Sequence, residues 1–210
     1  MRGALLCLVL IAGAGAPSPA RAEAPAVLVL GDSLSAGYGL AAGESWVDLL
    51  QQRLTAKGFP HRVVNASSSG DTTRGGLARL PRALTIHQPS ILIIELGGND
   101  GLRGIPVTEF SGNLQRMVVL GQEADAEVLV AGIRLPPNYG RSYSEKFRQA
   151  QADAAADVAF VPFLLEGVAL EPGMMQADGV HPTATAQPRM LENVWEALLP
   201  LVEDTADKAP

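Results

Sequence analysis

The chain has 210 residues, with 47% hydrophobic and only 5% aromatic side chains, and 22 acidic residues outweigh 16 basic ones. A net charge of −6 with no polybasic stretch argues against nucleic acid or anionic membrane surfaces as partners. This length can bury one good core, so a single domain is expected, and a lone cysteine offers no disulfide to reinforce it.

The first 22 residues read as a secretory signal rather than as fold. Met1-Arg2 is a short basic start, Gly3 to Ala16 is an apolar stretch too short to span a bilayer, and Ala20-Arg21-Ala22 is a small-x-small site. Cleavage is expected between Ala22 and Glu23, because a cut after Ala24 would put Pro25 beside the scissile bond. Cys7 lies in the removed segment, and the bulky Leu6 before it does not suit lipoprotein processing. An uncleaved anchor helix is the competing reading. The mature chain then has 188 residues, no cysteine and a net charge of −8. It is expected in the periplasm or outside the cell, as one domain over residues 23–202 with a frayed polar tail over 203–210.

Five short apolar runs follow: Ala26 to Leu30, Arg62 to Asn65, Ile91 to Leu96, Val128 to Ala131, and Val158 to Pro162. Helical segments separate them. In the first, Trp46, Leu49, Leu50 and Leu54 keep the i, i+3, i+4, i+8 spacing, and Gly58 is placed to stop the helix. Further helices are expected from about Arg74 to Thr85, Val107 to Glu123, Ser144 to Ala156 and Ala184 to Leu199. Continuous rather than alternating apolar strands between helices indicate a parallel sheet covered on both faces, a doubly wound α/β fold of three layers.

Ser33, in Gly31-Asp32-Ser33-Leu34, follows the first strand, where open α/β sheets place their chemistry. A serine hydroxyl needs a base within hydrogen-bond reach and a third group to orient that base. Of the three histidines, His61 and His87 sit at element boundaries away from strand C-termini and read as ordinary histidines. His181 lies in the turn-rich Asp178-Gly179-Val180-His181-Pro182, where Asp178 can fold back onto the imidazole and leave the other ring nitrogen for a serine. Asp-x-x-His alone is a weak signal. The second run is followed by Asn65-Ala66-Ser67-Ser68-Ser69-Gly70-Asp71-Thr72, and the third by Gly97-Gly98-Asn99-Asp100-Gly101. Backbone N–H groups at Ser33 and Gly70 with the Asn99 amide offer three donors to an oxyanion. A plain turn and a phosphate-binding loop are the competing readings of these two segments.

Leu77 and Leu80, and on the other side Leu102 and Ile105, are candidates for an apolar substrate wall, with Leu34 beside the serine. Core packing competes for each. Met174-Met175 reads as core filling or as an adaptable pocket lining. Glu95 ends an apolar run, with Arg134 as a candidate partner, and Asp32 and Asp100 read as braces of the loops. A metal site from Asp71, Asp100, Asp178 and His181 lacks ligand spacing, so no metal is expected. The Gly-x-Ser-x-Gly elbow of α/β-hydrolases is absent from the chain.

Gly31-Asp32-Ser33-Leu34, Gly70, Gly97-x-Asn99-Asp100 and Asp178-x-x-His181 resemble, in order, the four blocks of the SGNH or GDSL hydrolase superfamily. Asn65 to Leu80, Glu95 to Gly104, Arg134 to Tyr139 and Asp178 to Pro182 resemble more closely the periplasmic arylesterase, acyl-CoA thioesterase I and lysophospholipase L1 group. The resemblance covers essentially the whole mature chain. It implies a flavodoxin-like strand order, 2-1-3-4-5, and a serine esterase without metal or organic cofactor. By position it makes Ser33 the nucleophile, Asp178 and His181 the rest of the triad, and Ser33, Gly70 and Asn99 the oxyanion hole. Small-molecule esters or thioesters are the expected partners, and a monomer the expected state. A carbohydrate O-acetylesterase of the same superfamily and a flavodoxin-like phosphate- or nucleotide-binding module are the alternatives.

Overall fold

The computed structural model describes residues 24–208, so the expected signal segment lies outside the described residues. Five parallel strands form one sheet in the order β2-β1-β3-β4-β5. They are β1 (Ala26–Gly31), β2 (Arg62–Asn65), β3 (Ile91–Glu95), β4 (Glu127–Ala131) and β5 (Ala159–Val161). The three-layer arrangement read from the sequence is therefore present, with each apolar run delivering a strand.

Alternation along β1 assigns its side chains to two cores. Val27 and Val29 pack with Trp46, Leu50 and Leu54 of α2 (Trp46–Ala56) and with Val194, Leu198 and Val202 of α7 (Gln187–Asp207). Leu28 and Leu30 face the opposite layer, formed by α3 (Thr73–His87), α5 (Val107–Glu123) and α6 (Arg141–Ala154). Two short helices, α1 (Ser33–Ala36) and α4 (Gly98–Leu102), follow β1 and β3 directly. Helix α2 starts on a reciprocal cap between Ser45 and Asp48 and ends before Gly58, whose φ of +79° a side-chain-bearing residue rarely adopts.

Three expectations need correction. The tail from Glu203 is helical to Asp207 rather than frayed, because Val202 and Thr205, three residues apart, both turn inward. His61 stands at the entrance to β2 as expected, but it is not an ordinary surface histidine: it is buried and bonded to Thr205, with Nε2 2.8 Å from Oγ1. Since the Thr205 hydroxyl donates to the Leu201 carbonyl at 2.6 Å, Nε2–H is the donor to Thr205, and Nδ1 stays unpartnered. Leu80 is wholly buried beside Leu28 and Leu30 in the α3/α5/α6 core, which removes it from any substrate surface.

Candidate active site

Ser33 is the first residue of α1, just past the C-terminal end of β1, and Asp32 caps that helix by accepting from the Leu34 N–H at 3.1 Å. The loop between β5 and α7 brings His181 back across 148 residues until Nε2 is 2.9 Å from Ser33 Oγ. Its Nδ1 is 2.7 Å from Asp178 Oδ2. With the imidazole proton on Nδ1, Ser33 donates to Nε2 and the ring donates to Asp178, the arrangement a serine needs to lose its proton on attack. Asp178 also accepts from the N–H groups of His181 and Val180, at 3.0 and 2.9 Å. These hydrogen bonds, those from His181 foremost, pull its carboxyl down from the ordinary 3.8 to about 2.

The donor side lies on the loops after β2 and β3. Gly70 has φ of +80° and faces no crowding atom closer than 3.8 Å, so its backbone conformation, not space, calls for glycine. Neither its N–H nor that of Ser33 is bonded within the described residues. Asn99, on α4, donates one Nδ2 hydrogen to Asp32 Oδ2 at 3.0 Å, and its second is left over. Three N–H groups are thus available to an oxyanion in the sense required for acyl transfer.

Long-range bonds hold these loops. Arg79 reaches Asp71 at 2.7 Å, the Gly31 carbonyl at 3.2 Å and the Ala66 carbonyl, joining α3 to β1 and the Gly70 loop. Asp100 accepts from the Thr73 N–H at 2.9 Å, and Arg103 donates to the Gly70 carbonyl at 2.8 Å. Beneath Ser33, Glu95 is wholly buried and accepts from Ser35 Oγ at 2.7 Å and the Asp32 N–H at 3.3 Å. Arg134, its expected partner, instead pairs with Glu166 and stacks on Phe163. Burial, reinforced by the neighbouring Asp32 charge, raises the Glu95 carboxyl well above its ordinary range. Burial likewise raises Asp32, from 3.8 to about 6, against the opposing bonds from Leu34 and Asn99.

Residues 29–187 match the model of the GDSL-like lipase/acylhydrolase family. The chain belongs to this family. It is 53% identical over 178 residues to esterase TesA of Pseudomonas aeruginosa, covering 84% of this chain and 89% of that one. It is 46% identical over 178 residues to thioesterase 1/protease 1/lysophospholipase L1 of Escherichia coli, covering 84% of each. A crystal structure of TesA superposes with a TM-score of 0.82 at 53% identity, covering 84% of this chain and 99% of that one. The chain is an ester-bond hydrolase of the GDSL-like group.

Beside this family assignment the nucleotide-module reading loses much of its cradle. Three amides of the would-be cradle are bonded internally: Ser67 to Asn65 Oδ1, Ser68 to the Gly31 carbonyl and Asp71 to the Ser68 carbonyl. Among the described residues no group of three or more metal-ligating side chains is assembled. Leu34 is buried in the α2/α7 core and Leu77 packs half-buried on the opposite core. Leu102, the last residue of α4, is 36% exposed and Ile105 just after it is half-buried, their carbonyls accepting from the Tyr139 and Tyr143 hydroxyls at 3.2 and 3.0 Å. The methionine pair, half-buried, packs on the α2/α7 core. Sequence reasoning passed over Tyr38, Arg103 and Gln176. Tyr38 had one local signal, a ring five residues after the serine in a chain poor in aromatics.

Proposed function

We propose that the protein is an exported serine esterase that hydrolyses small acyl esters and thioesters through an acyl-enzyme, acting as a monomer. Aryl esters, acyl-CoA thioesters and lysophospholipids are its substrate classes. The observation that carries this reading is the unbroken chain from Ser33 Oγ through His181 to Asp178, with links of 2.9 and 2.7 Å.

Ser33 Oγ attacks the carbonyl carbon while its proton passes to His181 Nε2. The carbonyl oxygen becomes an oxyanion that accepts from the Ser33 and Gly70 N–H groups and the Asn99 amide. Collapse expels the alkoxide, phenoxide or thiolate, which takes the proton from Nε2. Water then attacks the acyl-enzyme, giving its proton to Nε2, and Ser33 leaves with that proton. Asp178 holds the imidazole in the tautomer each step requires and stabilises the transient imidazolium. Asp178 is exposed and His181 only partly covered, so the site is an open groove, which discriminates weakly among acyl chains.

The test is fluorophosphonate labelling of the mature protein with peptide mapping, beside Ser33→Ala and His181→Ala. A single label on Ser33, with hydrolysis lost in both variants, is expected. Turnover surviving Ser33→Ala, or abolished by a chelator in the wild type, would refute the mechanism.

A further inference from the structure

The position of the leaving group follows from the two sides of the site. Gly70 sits on the loop that leads into α3, and Asn99 on α4, which leads towards α5. Tyr38 lies between α1 and α2, and the loop carrying His181 leads into α7, which packs with α2 on the opposite layer. A carbonyl oxygen seated among the first set leaves the departing atom beside His181 Nε2, from which it must take its proton.

Tyr38 stands there. Its ring centroid is 4.4 Å from that of His181 with the planes inclined by 36°, and no other aromatic ring pairs with His181 among the described residues. It is 52% exposed, so much of the ring beyond the imidazole contact is open to the groove. Both backbone groups are anchored: the N–H donates to the Ser33 carbonyl at 3.2 Å and the carbonyl accepts from Gln176 Nε2 at 2.9 Å. Gln176 also donates from its N–H to the His181 carbonyl at 2.7 Å and from Nε2 to the Pro182 carbonyl at 2.9 Å. One side chain thereby fixes Tyr38 relative to the histidine turn. A half-open ring whose backbone is anchored beside the proton donor offers a face on which a planar group can stack.

We propose that Tyr38 is the leaving-group wall of this site and selects for aromatic leaving groups. The proposal rests on the serine esterase reading above. A planar phenoxide leaving the carbonyl carbon and taking the proton from Nε2 lies against the exposed part of the ring, whereas an alkoxide has no flat face to offer. Tyr38 acts on acylation, while the leaving group is present, and not on hydrolysis of an acyl-enzyme that has already lost it.

The experiment compares phenyl acetate with trifluoroethyl acetate, which share an acyl group and differ in the leaving group, using kcat/KM because it reports acylation. Tyr38→Leu is expected to lower the phenyl-to-trifluoroethyl ratio by about two- to tenfold, the worth of one aromatic pair. Hydrolysis of the shared acetyl-enzyme is expected to be unchanged. Tyr38→Phe, which keeps the ring and removes a hydroxyl bonded to no described residue, is expected to hold the ratio, and Tyr38→Trp to hold or raise it. An unchanged ratio in Tyr38→Leu, or a parallel fall of both esters and of acetyl-enzyme hydrolysis, would overturn the assignment. Fluorophosphonate labelling of the wild type separates the two failures: a labelled Ser33 with an unchanged ratio refutes Tyr38 alone, and no label refutes the esterase reading with it.

Discussion

Asp32→Asn should separate stability from activity. Asp32 is 2% exposed, and its carboxyl is raised from 3.8 to about 6, so keeping it ionised at neutral pH costs the fold about 3 kcal/mol. Asparagine removes that charge and can still cap Leu34 with its Oδ1, but its amide nitrogen then faces the Asn99 Nδ2, donor against donor. Losing that bond returns about 1–3 kcal/mol, so the variant should be equal in stability to the wild type or up to about 2 kcal/mol more stable at neutral pH. Asn99 loses the acceptor that orients it, so part of the roughly 3 kcal/mol worth of one oxyanion donor is lost from kcat, about 10- to 100-fold. Steady-state hydrolysis of an aryl ester beside thermal unfolding measures both. Full activity would show that Asp32 does not orient Asn99, and a large drop in melting temperature would show that its carboxylate is not a burden on the fold.

Asn99→Ala removes the donor itself and should lower kcat by about 3 kcal/mol, on the order of 100-fold, with little change in KM; a loss of less than threefold would exclude Asn99 from the oxyanion hole. Glu95→Gln keeps an acceptor for Ser35 Oγ and the Asp32 N–H while removing a carboxyl whose pKa burial raises. A raised carboxyl loses its stabilising contribution as pH rises through its folded value, so the variant's gain in melting temperature should grow with pH, and a constant difference would contradict a titrating Glu95. His61 is the opposite case: burial lowers its pKa, so the native state resists protonation and stability falls as pH drops below about 6.5. His61→Leu should flatten that acid limb in thermal melts, and an equal slope in both proteins would place the acid sensitivity elsewhere.

The sheet was legible because strands covered on both faces are spelled as unbroken apolar runs, and the helices between them as periodic ones. The candidate reacting groups stood out for a different reason: acyl transfer admits few residue types, and three histidines left one in a turn beside a carboxylate. What escaped were partnerships made only by the fold. Glu95 finds Ser35 across 60 residues, and His61 finds Thr205 across 144, neither marked by any local pattern. The second of these also explains the tail, whose polar letters conceal an inward-facing Val202 and Thr205. Leu80 is the reverse case, a candidate for the substrate wall that the fold takes into the core. With Leu84 it belongs to the buried stripe of α3, the core-packing alternative its helical spacing already offered.

The two aspartates near the imidazole differ in environment, and that difference divides their roles. Asp178 is exposed and held at about 2 by three bonds from the Val180–His181 turn, so it stays ionised across the working range and its orientation of the ring does not titrate. Asp32 is buried, its carboxyl is raised to about 6 by that burial, and the His181 charge acts on it in the opposite sense. An imidazolium forming beside Ser33 therefore has one constant carboxylate and one that is switched off in mild acid. Loss of activity between about pH 7 and pH 5 thus contains an Asp32 contribution. That contribution is absent from Asp32→Asn, so the variant's pH–rate profile for kcat/KM should lose activity less steeply over this range than the wild type. Superimposable profiles would mean that the Asp32 charge does not reach the reacting groups.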